Sequence, residues 1–219
     1  MSINRKYILE AIKELHKETP KRNFKQSIEL IINLRDVDLS KPENRIQELI
    51  ELPHPIGKKV SVCVFATGDM AIRAKRAGAD MVLEKDDIEG MANDKKRQRR
   101  LAKSFDSFIA AAPLMPLIGK VFGAILGPRG KMPTPIPLTA DVEKEIERHR
   151  RLVLVRTRGQ PVLSCRIGTE DMSAEDLADN IDAVLRRIEG KLKRGIKNIA
   201  SVYIKATMGP PVKIKFEED

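Results

Sequence analysis

The sequence predicts a two-domain protein of mixed α+β and α/β class: an α+β domain built from both chain ends, with a small doubly wound α/β domain inserted between them. Three observations predict it. Both ends alternate polar and apolar residues as half-buried strands do, and both carry amphipathic helices. The middle instead carries short, nearly all-apolar runs followed by helical patterns, the signature of buried parallel strands with crossovers. Neither end has enough apolar faces to close a core alone, so residues 1–59 and 152–219 are expected to share one around an insert of residues 60–151.

The first helix is expected over residues 4–17, where Ile8, Ala11, Ile12 and Leu15 recur at helical spacing and Thr19-Pro20 ends the run. Residues 24–34 alternate, with Phe24, Gln26, Ile28, Leu30, Ile32 and Leu34 on one face and Lys25, Ser27 and Glu29 on the other. A polar loop follows around Pro42. Leu52-Pro53-His54-Pro55-Ile56-Gly57-Lys58-Lys59 is stiff and punctuated, as a linker or hinge would be, and the return crossing near Leu152 makes that hinge two-stranded.

In the middle, residues 60–65 read as a buried strand. A helix from Thr67-Gly68-Asp69 through Arg76 follows, with Ala71, Ile72 and Ala74 available for packing, and then the strand Met81-Val82-Leu83, making a βαβ unit. Residues 107–111 read as a third strand, 114–122 as a helix, and 141–150 as a charged helix after a proline-rich stretch. Beyond it, residues 152–156 and 162–167 read as a hairpin of two strands around a loop. Ser173 and Asp176 form a capping box for a helix to about Glu189, with Leu177, Ile181, Val184, Leu185 and Ile188 as its apolar stripe. Residues 199–207 and 212–216 alternate around Met208-Gly209-Pro210-Pro211.

Composition narrows the function. Lys and Arg total 41 against 31 Asp and Glu, a net charge of +10 that suits a polyanionic partner. Aromatics are 4% and Trp is absent, so aromatic stacking cannot be the main way a ligand is held. Cys63 and Cys165 lie in apolar or strand-like runs without metal-ligand spacing, which predicts buried, reduced thiols and fits a cytoplasmic setting. Met1-Ser2-Ile3-Asn4-Arg5-Lys6 lacks the apolar core of a signal peptide, and the most apolar stretch is broken by Pro113 and Pro116, so no membrane span is expected.

Enzyme signatures are missing. Neither Lys120 nor Lys131 has the glycine of a P-loop six residues earlier, and no glycine-rich dinucleotide fingerprint follows Phe65. Thr67-Gly68-Asp69 could offer amides to an anion or be an ordinary helix cap. His16, His54 and His149 sit in three different segments with no nucleophile pattern beside them. The run Lys95-Lys96-Arg97-Gln98-Arg99-Arg100-Leu101-Ala102-Lys103, six cations in nine residues, is either a phosphate-contacting face or a solvated helix face. Gly127-Pro128-Arg129-Gly130-Lys131 has the glycine spacing of an RNA-backbone clamp, but Met132-Pro133-Thr134-Pro135 forbids the helix such a clamp needs, so a tight structural turn is the better reading. Ser201, Tyr203, Lys205 and Thr207 should share an outward sheet face with Lys25, Ser27 and Glu29, which suits either RNA or plain solvent.

Four ordered segments bear on the choice between RNA and solvent for that face. Leu52-Pro53-His54-Pro55-Ile56-Gly57-Lys58, Ile125-Leu126-Gly127-Pro128-Arg129-Gly130-Lys131-Met132-Pro133, Leu177-Ala178-Asp179-Asn180-Ile181 and Thr207-Met208-Gly209-Pro210 resemble the large-subunit ribosomal protein L-one family, in its short, lysine-rich archaeal form. The resemblance covers essentially the whole chain. It implies a non-enzymatic, cofactor-free and metal-free RNA-binding protein with a split α+β domain and an inserted Rossmann-like, three-layer α/β domain. Its implied partners are the ribosomal RNA stalk of the large subunit, other ribosome components, the exit-site tRNA whose deacylated form it helps release, and the leader of its own mRNA, whose translation it represses. Off the ribosome it is expected to be a cytoplasmic monomer. Carried over by motif, the RNA surface should comprise Phe24, Lys25, Ser27, Glu29, Arg156, Arg158, Arg166, Gly168, Thr169, Thr207, Met208 and Gly209, with the inserted domain adding weaker electrostatic contact. Arg166-Ile167-Gly168-Thr169 stands where relatives often carry Pro-Val-Gly-Lys.

Overall fold

The computed structural model describes residues 4–216. Met1, Ser2 and Ile3, part of the opening considered above for a signal sequence, lie outside the described residues. In chain order the elements are α1 (Arg5–Glu18), β1 (Ser27–Leu34), β2 (Gln47–Glu51), β3 (Val62–Phe65), α2 (Asp69–Arg76), β4 (Met81–Leu83), α3 (Lys85–Gly90), α4 (Lys95–Ser104) and β5 (Ser107–Ala111). They continue with α5 (Met115–Leu126), β6 (Thr134–Ile136), α6 (Val142–Arg151), β7 (Leu152–Arg156), β8 (Val162–Thr169), α7 (Ala174–Glu189), β9 (Ile199–Ala206) and β10 (Pro211–Ile214). The chain divides into two compact units: one holds everything up to Lys58 and from Arg151 onward, the other Lys59–Arg150.

The unit formed by the two ends is α+β. Its main sheet is antiparallel in the order β10-β9-β1-β8, so a strand from the first end lies between strands from the second. One face carries α1 and α7. Asn4 caps α1 by accepting from the Lys6 N–H, Thr19 closes it by donating its hydroxyl to the Leu15 carbonyl, and Ile8, Ala11, Ile12 and Leu15 are buried. On α7, Ser173 accepts from the Asp176 N–H, and Leu177, Ile181, Val184, Leu185 and Ile188 are buried. These stripes meet Ile28, Leu30, Ile32, Leu163, Val202 and Ile204, all essentially fully buried. Each such side chain contributes about 1.5–3 kcal/mol by leaving water.

Two expectations need correcting in this unit. Strand β1 begins at Ser27, and Phe24 lies before it with its side chain half exposed rather than on the inner face. Strands β7 and β8 are consecutive but not paired as a hairpin: β8 joins β1, whereas β7 pairs with β2 in a separate two-stranded sheet. The punctuated segment after β2 packs against α7. Leu52 and Ile56 are buried, and the buried Asn180 of α7 accepts from the His54 N–H and donates to the His54 and Ile167 carbonyls. The His54 ring faces Asp176 at 3.4 Å and Asp179 at 3.2 Å. Two segments of the family resemblance therefore meet in one joint.

The second unit has a parallel sheet in the order β4-β3-β5-β6. Strands β3 and β5 are almost wholly buried, as both-face coverage requires. The chain leaves β3 in one direction toward β4 and then returns past β3 to β5. Right-handed crossovers in opposite directions put α2 on one face and α3, α4 and α5 on the other, giving three layers. Phe65, Phe108 and Phe122 form the aromatic centre. On α2, Ala71 and Ala74 pack inward, but Ile72 is half exposed.

Candidate nucleic-acid interface

The face of the main sheet opposite α1 and α7 carries a polar lattice set by strand register. Across one row stand Lys205, Glu29 and Arg166; across the next, Lys213, Tyr203, Ile31 and Ser164; across the third, Ser201, Asn33 and Val162. Asn33 donates to the Ser201 hydroxyl at 2.8 Å. Glu29, Ser164 and Lys213 are exposed and the others half-buried. Cations flank the single carboxylate of this lattice, so the face favours an anion while keeping one acceptor for a hydroxyl or amino donor. A bulge beside Ile28 and Glu29 brings Glu29 opposite Arg166 rather than Ile167, re-aiming the side chains where the row is most charged. Beyond β8, Arg156, Arg158, Gln160 and Ser164 help line a groove of about 230 Å³.

At the end of this face, the turn after β9 is locked to the residues that open β1. The Thr207 N–H and hydroxyl both donate to the Ser27 carbonyl, at 3.0 and 3.2 Å, and the hydroxyl accepts from the Ser27 N–H at 3.2 Å. One lone pair of that hydroxyl remains for a ligand. The Met208 N–H donates to the Gln26 side chain at 3.0 Å. Gln26 is completely buried; its amide nitrogen donates to the Pro20 carbonyl and to Glu170, which also accepts the Gln26 backbone N–H. Above this network the Met208 and Phe24 side chains stand about half exposed, two apolar groups at one edge of a polar face.

Not every residue proposed from sequence presents a side chain. Gly209 is buried, and a Cβ there would lie 3.1 Å from the Thr19 hydroxyl. A Cβ on Gly168 would come within 2.5 Å of Leu177 and 2.6 Å of the Met172 sulfur. Thr169 is buried, its hydroxyl has no hydrogen-bond partner among the described residues, and it faces Gly57. These three shape the backbone. Lys25 is engaged with Asp171 at 2.7 Å. Sequence reasoning did not single out Gln26 as a site residue, Glu170 or Lys213. The signal for Gln26 was present: a polar residue in the apolar phase of an alternating strand must be buried with partners.

The glycine-spaced turn of the second unit is accounted for internally. A Cβ on Gly127 would meet the Gly123 carbonyl at 2.7 Å, and Gly130 adopts φ +68°. Lys131 donates to the Ala102 and Phe105 carbonyls at the end of α4, and desolvation there holds its ammonium below the usual lysine range. The turn thus closes α4. Ser107 and His149 stand 2.6 Å apart, as a nucleophile and its base would. His149 is buried, and among the described residues its other ring nitrogen has no hydrogen-bond partner of the kind that orients the base of a triad. No cluster of metal-ligating side chains and no helix long and apolar enough to cross a membrane occurs among the described residues.

The model of the ribosomal protein L1p/L10e family matches residues 15–210.

The chain belongs to that family.

Similar proteins named large ribosomal subunit protein uL1 occur in Methanocella arvoryzae, 46% identical over 210 residues (96% of this chain, 99% of the relative), and in Thermofilum pendens, 50% identical over 210 residues (95% and 92%). One from Methanocaldococcus jannaschii is 43% identical over 216 residues, covering 99% of this chain and 98% of the relative. Such membership makes this a ribosomal, RNA-binding protein rather than an enzyme. Of the four segments that carried the resemblance, two meet in the His54–Asn180 joint and one closes α4. The fourth, Thr207 to Pro210, ends the open sheet face with Thr207, Met208 and Pro210 exposed.

Proposed function

We propose that the α+β unit is the RNA-binding domain and holds the ribosomal RNA stalk of the large subunit near the tRNA exit site, where the protein assists release of deacylated tRNA. The observation that carries this reading is the Thr207–Met208 turn, fixed by Ser27 and Gln26 beside an open face of cations and hydroxyls. A surface held rigid before binding loses little entropy when RNA docks. Phe24 and Met208 supply apolar contact, Thr207 and Ser27 lie where ribose hydroxyls can be read, and Arg156, Arg158, Arg166, Lys205 and Lys213 meet phosphates. Gly168, Thr169 and Gly209 act by shaping the chain, and Glu29 offers an acceptor within the cationic row.

The same surface serves, on this reading, to bind the leader of the protein's own mRNA and repress its translation; the family resemblance supports that role. The protein works on the large subunit in the cytoplasm and is a monomer when free. The test is competition on one surface. Full-length protein should bind a transcribed stalk RNA and its own leader RNA in mutually exclusive fashion, and Met208→Ala should weaken both by roughly tenfold, the effect of losing about 1.4 kcal/mol. Simultaneous binding of both RNAs, or a Met208→Ala variant with unchanged affinity, would overturn the reading.

A further inference from the structure

Helix α4 carries Lys95, Lys96, Arg97, Arg99, Arg100 and Lys103, all exposed, and among the described residues none of these side chains makes an ion pair or a hydrogen bond. The helix is pinned by its other side. Leu101 and Ala102 are buried, and the buried Gln98 amide donates to the Met91 and Ala92 carbonyls. At about 100° per residue, Lys95, Lys96, Arg99, Arg100 and Lys103 fall within an arc of about 140° that faces away from those three.

This arrangement works against the helix. Lys95 with Arg99, Lys96 with Arg100, and Arg99 with Lys103 are like charges at i and i+4, each pair unfavourable by a few tenths of a kcal/mol. Lys95, Lys96 and Arg97 stand at the positive end of the helix dipole, where carboxylates are favoured. Elsewhere in the same unit cations do find carboxylates, as Lys59 with Asp80 and Lys85 with Glu89 show. A charge pattern that costs local stability and is left uncompensated fits a polyanion supplied from outside.

We infer that the outer face of α4 is a second RNA-binding surface, which meets the phosphate backbone without reading sequence. Successive turns of the helix place cations about 6 Å apart in a row, as Lys95, Arg99 and Lys103, a spacing suited to following a strand of phosphates. The inference rests on the reading of the chain as RNA-binding. It adds a site on the unit that does not carry the Thr207 turn.

The experiment titrates full-length protein with two probes, a transcribed stalk RNA and an unrelated RNA duplex, across roughly 50 to 200 mM salt. Replacing Lys95, Lys96, Arg99, Arg100 and Lys103 together by Gln should weaken both probes at least about tenfold at low salt. It should also flatten the dependence of log K on log salt by about 2 or more, since each phosphate contact contributes about 0.7–0.9 to that slope. Arg99→Lys with Arg100→Lys should keep the slope. Because Gln is a good helix former and relieves the repulsion, the five-fold variant should melt at the wild-type temperature or above. Unchanged affinity and slope for both probes would overturn the inference; an α4 face built for an acidic protein gives that result. Wild-type protein that fails to prefer the stalk RNA to the duplex would sink the sheet-face reading instead, while the slope change still tests α4.

Discussion

The buried side chain of Gln26 accepts a hydrogen bond from the backbone N–H of Met208, 182 residues away in sequence. The residue just before β1 thereby sets the height of the turn after β9. Gln26→Glu keeps the shape but removes both amide N–H donors, so carboxylate oxygens would face the Pro20 carbonyl and Glu170. Breaking a buried network this way costs about 1–3 kcal/mol. Stalk-RNA affinity should fall together with urea stability, and Gln26→Glu protein with wild-type stability and affinity would show the network to be idle.

The sequence places Thr169 at the RNA surface, yet its hydroxyl is buried, has no partner among the described residues and faces Gly57, where a Cβ would stand 2.4 Å from it. Thr169→Val keeps the shape and removes an unsatisfied polar atom. It should be neutral or stabilise by up to about 1 kcal/mol, with RNA affinity unchanged. Gly57→Ala should destabilise, because the methyl group collides with Thr169 and the φ of +69° disfavours any side chain. Denaturant midpoints and a binding isotherm check all three statements; a tenfold affinity loss in Thr169→Val would restore Thr169 to the contact surface.

Lys131 and the cations of α4 should behave oppositely. Lys131 donates its protons to two carbonyls at the end of α4. Lys131→Ala should cost the inserted unit about 1–2 kcal/mol, the range for hydrogen bonds from a charged group reduced for partial exposure, and leave the salt slope of RNA binding intact. A slope change in Lys131→Ala without loss of stability would put Lys131 on the RNA surface after all.

The order of elements was largely legible because period and punctuation are local properties. Ile8, Ala11, Ile12 and Leu15 announce α1, and Val62 to Phe65 announce a buried strand, without any reference to the rest of the chain. What escaped was set by distant partners. Strand β2 has only Ile50 fully buried and leaves Leu49 half exposed, so its pattern is not that of a strand; β7 makes it one. Strand β6 contains Pro135, which an edge position tolerates and a sequence reading penalises. At the site, the outward phase of β1 and β9 was visible as alternation. The role of Gln26 and the burial of Thr169 depend on Glu170, Met208 and Gly57, contacts that no single segment encodes.

The two cysteines allow each unit to be followed separately through acid. Cys63 lies in β3 and Cys165 in β8; burial pushes each thiol up to about 12, so neither should react with a thiol reagent until its own unit opens. Above the carboxylate range, the group whose lowered protonation affects this unit is His149, which belongs with Cys63 to the inserted unit. Burial, with a lesser contribution from Arg148, lowers His149 from 6.5 to about 4. The folded state thus favours the neutral ring, and the unfolded state takes up the proton first as pH falls. Stability conferred by the neutral ring is complete above about pH 6.5 and is lost as pH falls toward 4, by up to about 3 kcal/mol. With rates normalised to unfolded protein, labelling of Cys63 by a disulfide reagent active in acid should accelerate roughly 10- to 100-fold across that window. Cys165 should change much less, and in His149→Gln the Cys63 profile should flatten. Equal acceleration at both cysteines, or a Cys63 profile that His149→Gln leaves unaltered, would rule His149 out as the source of acid lability.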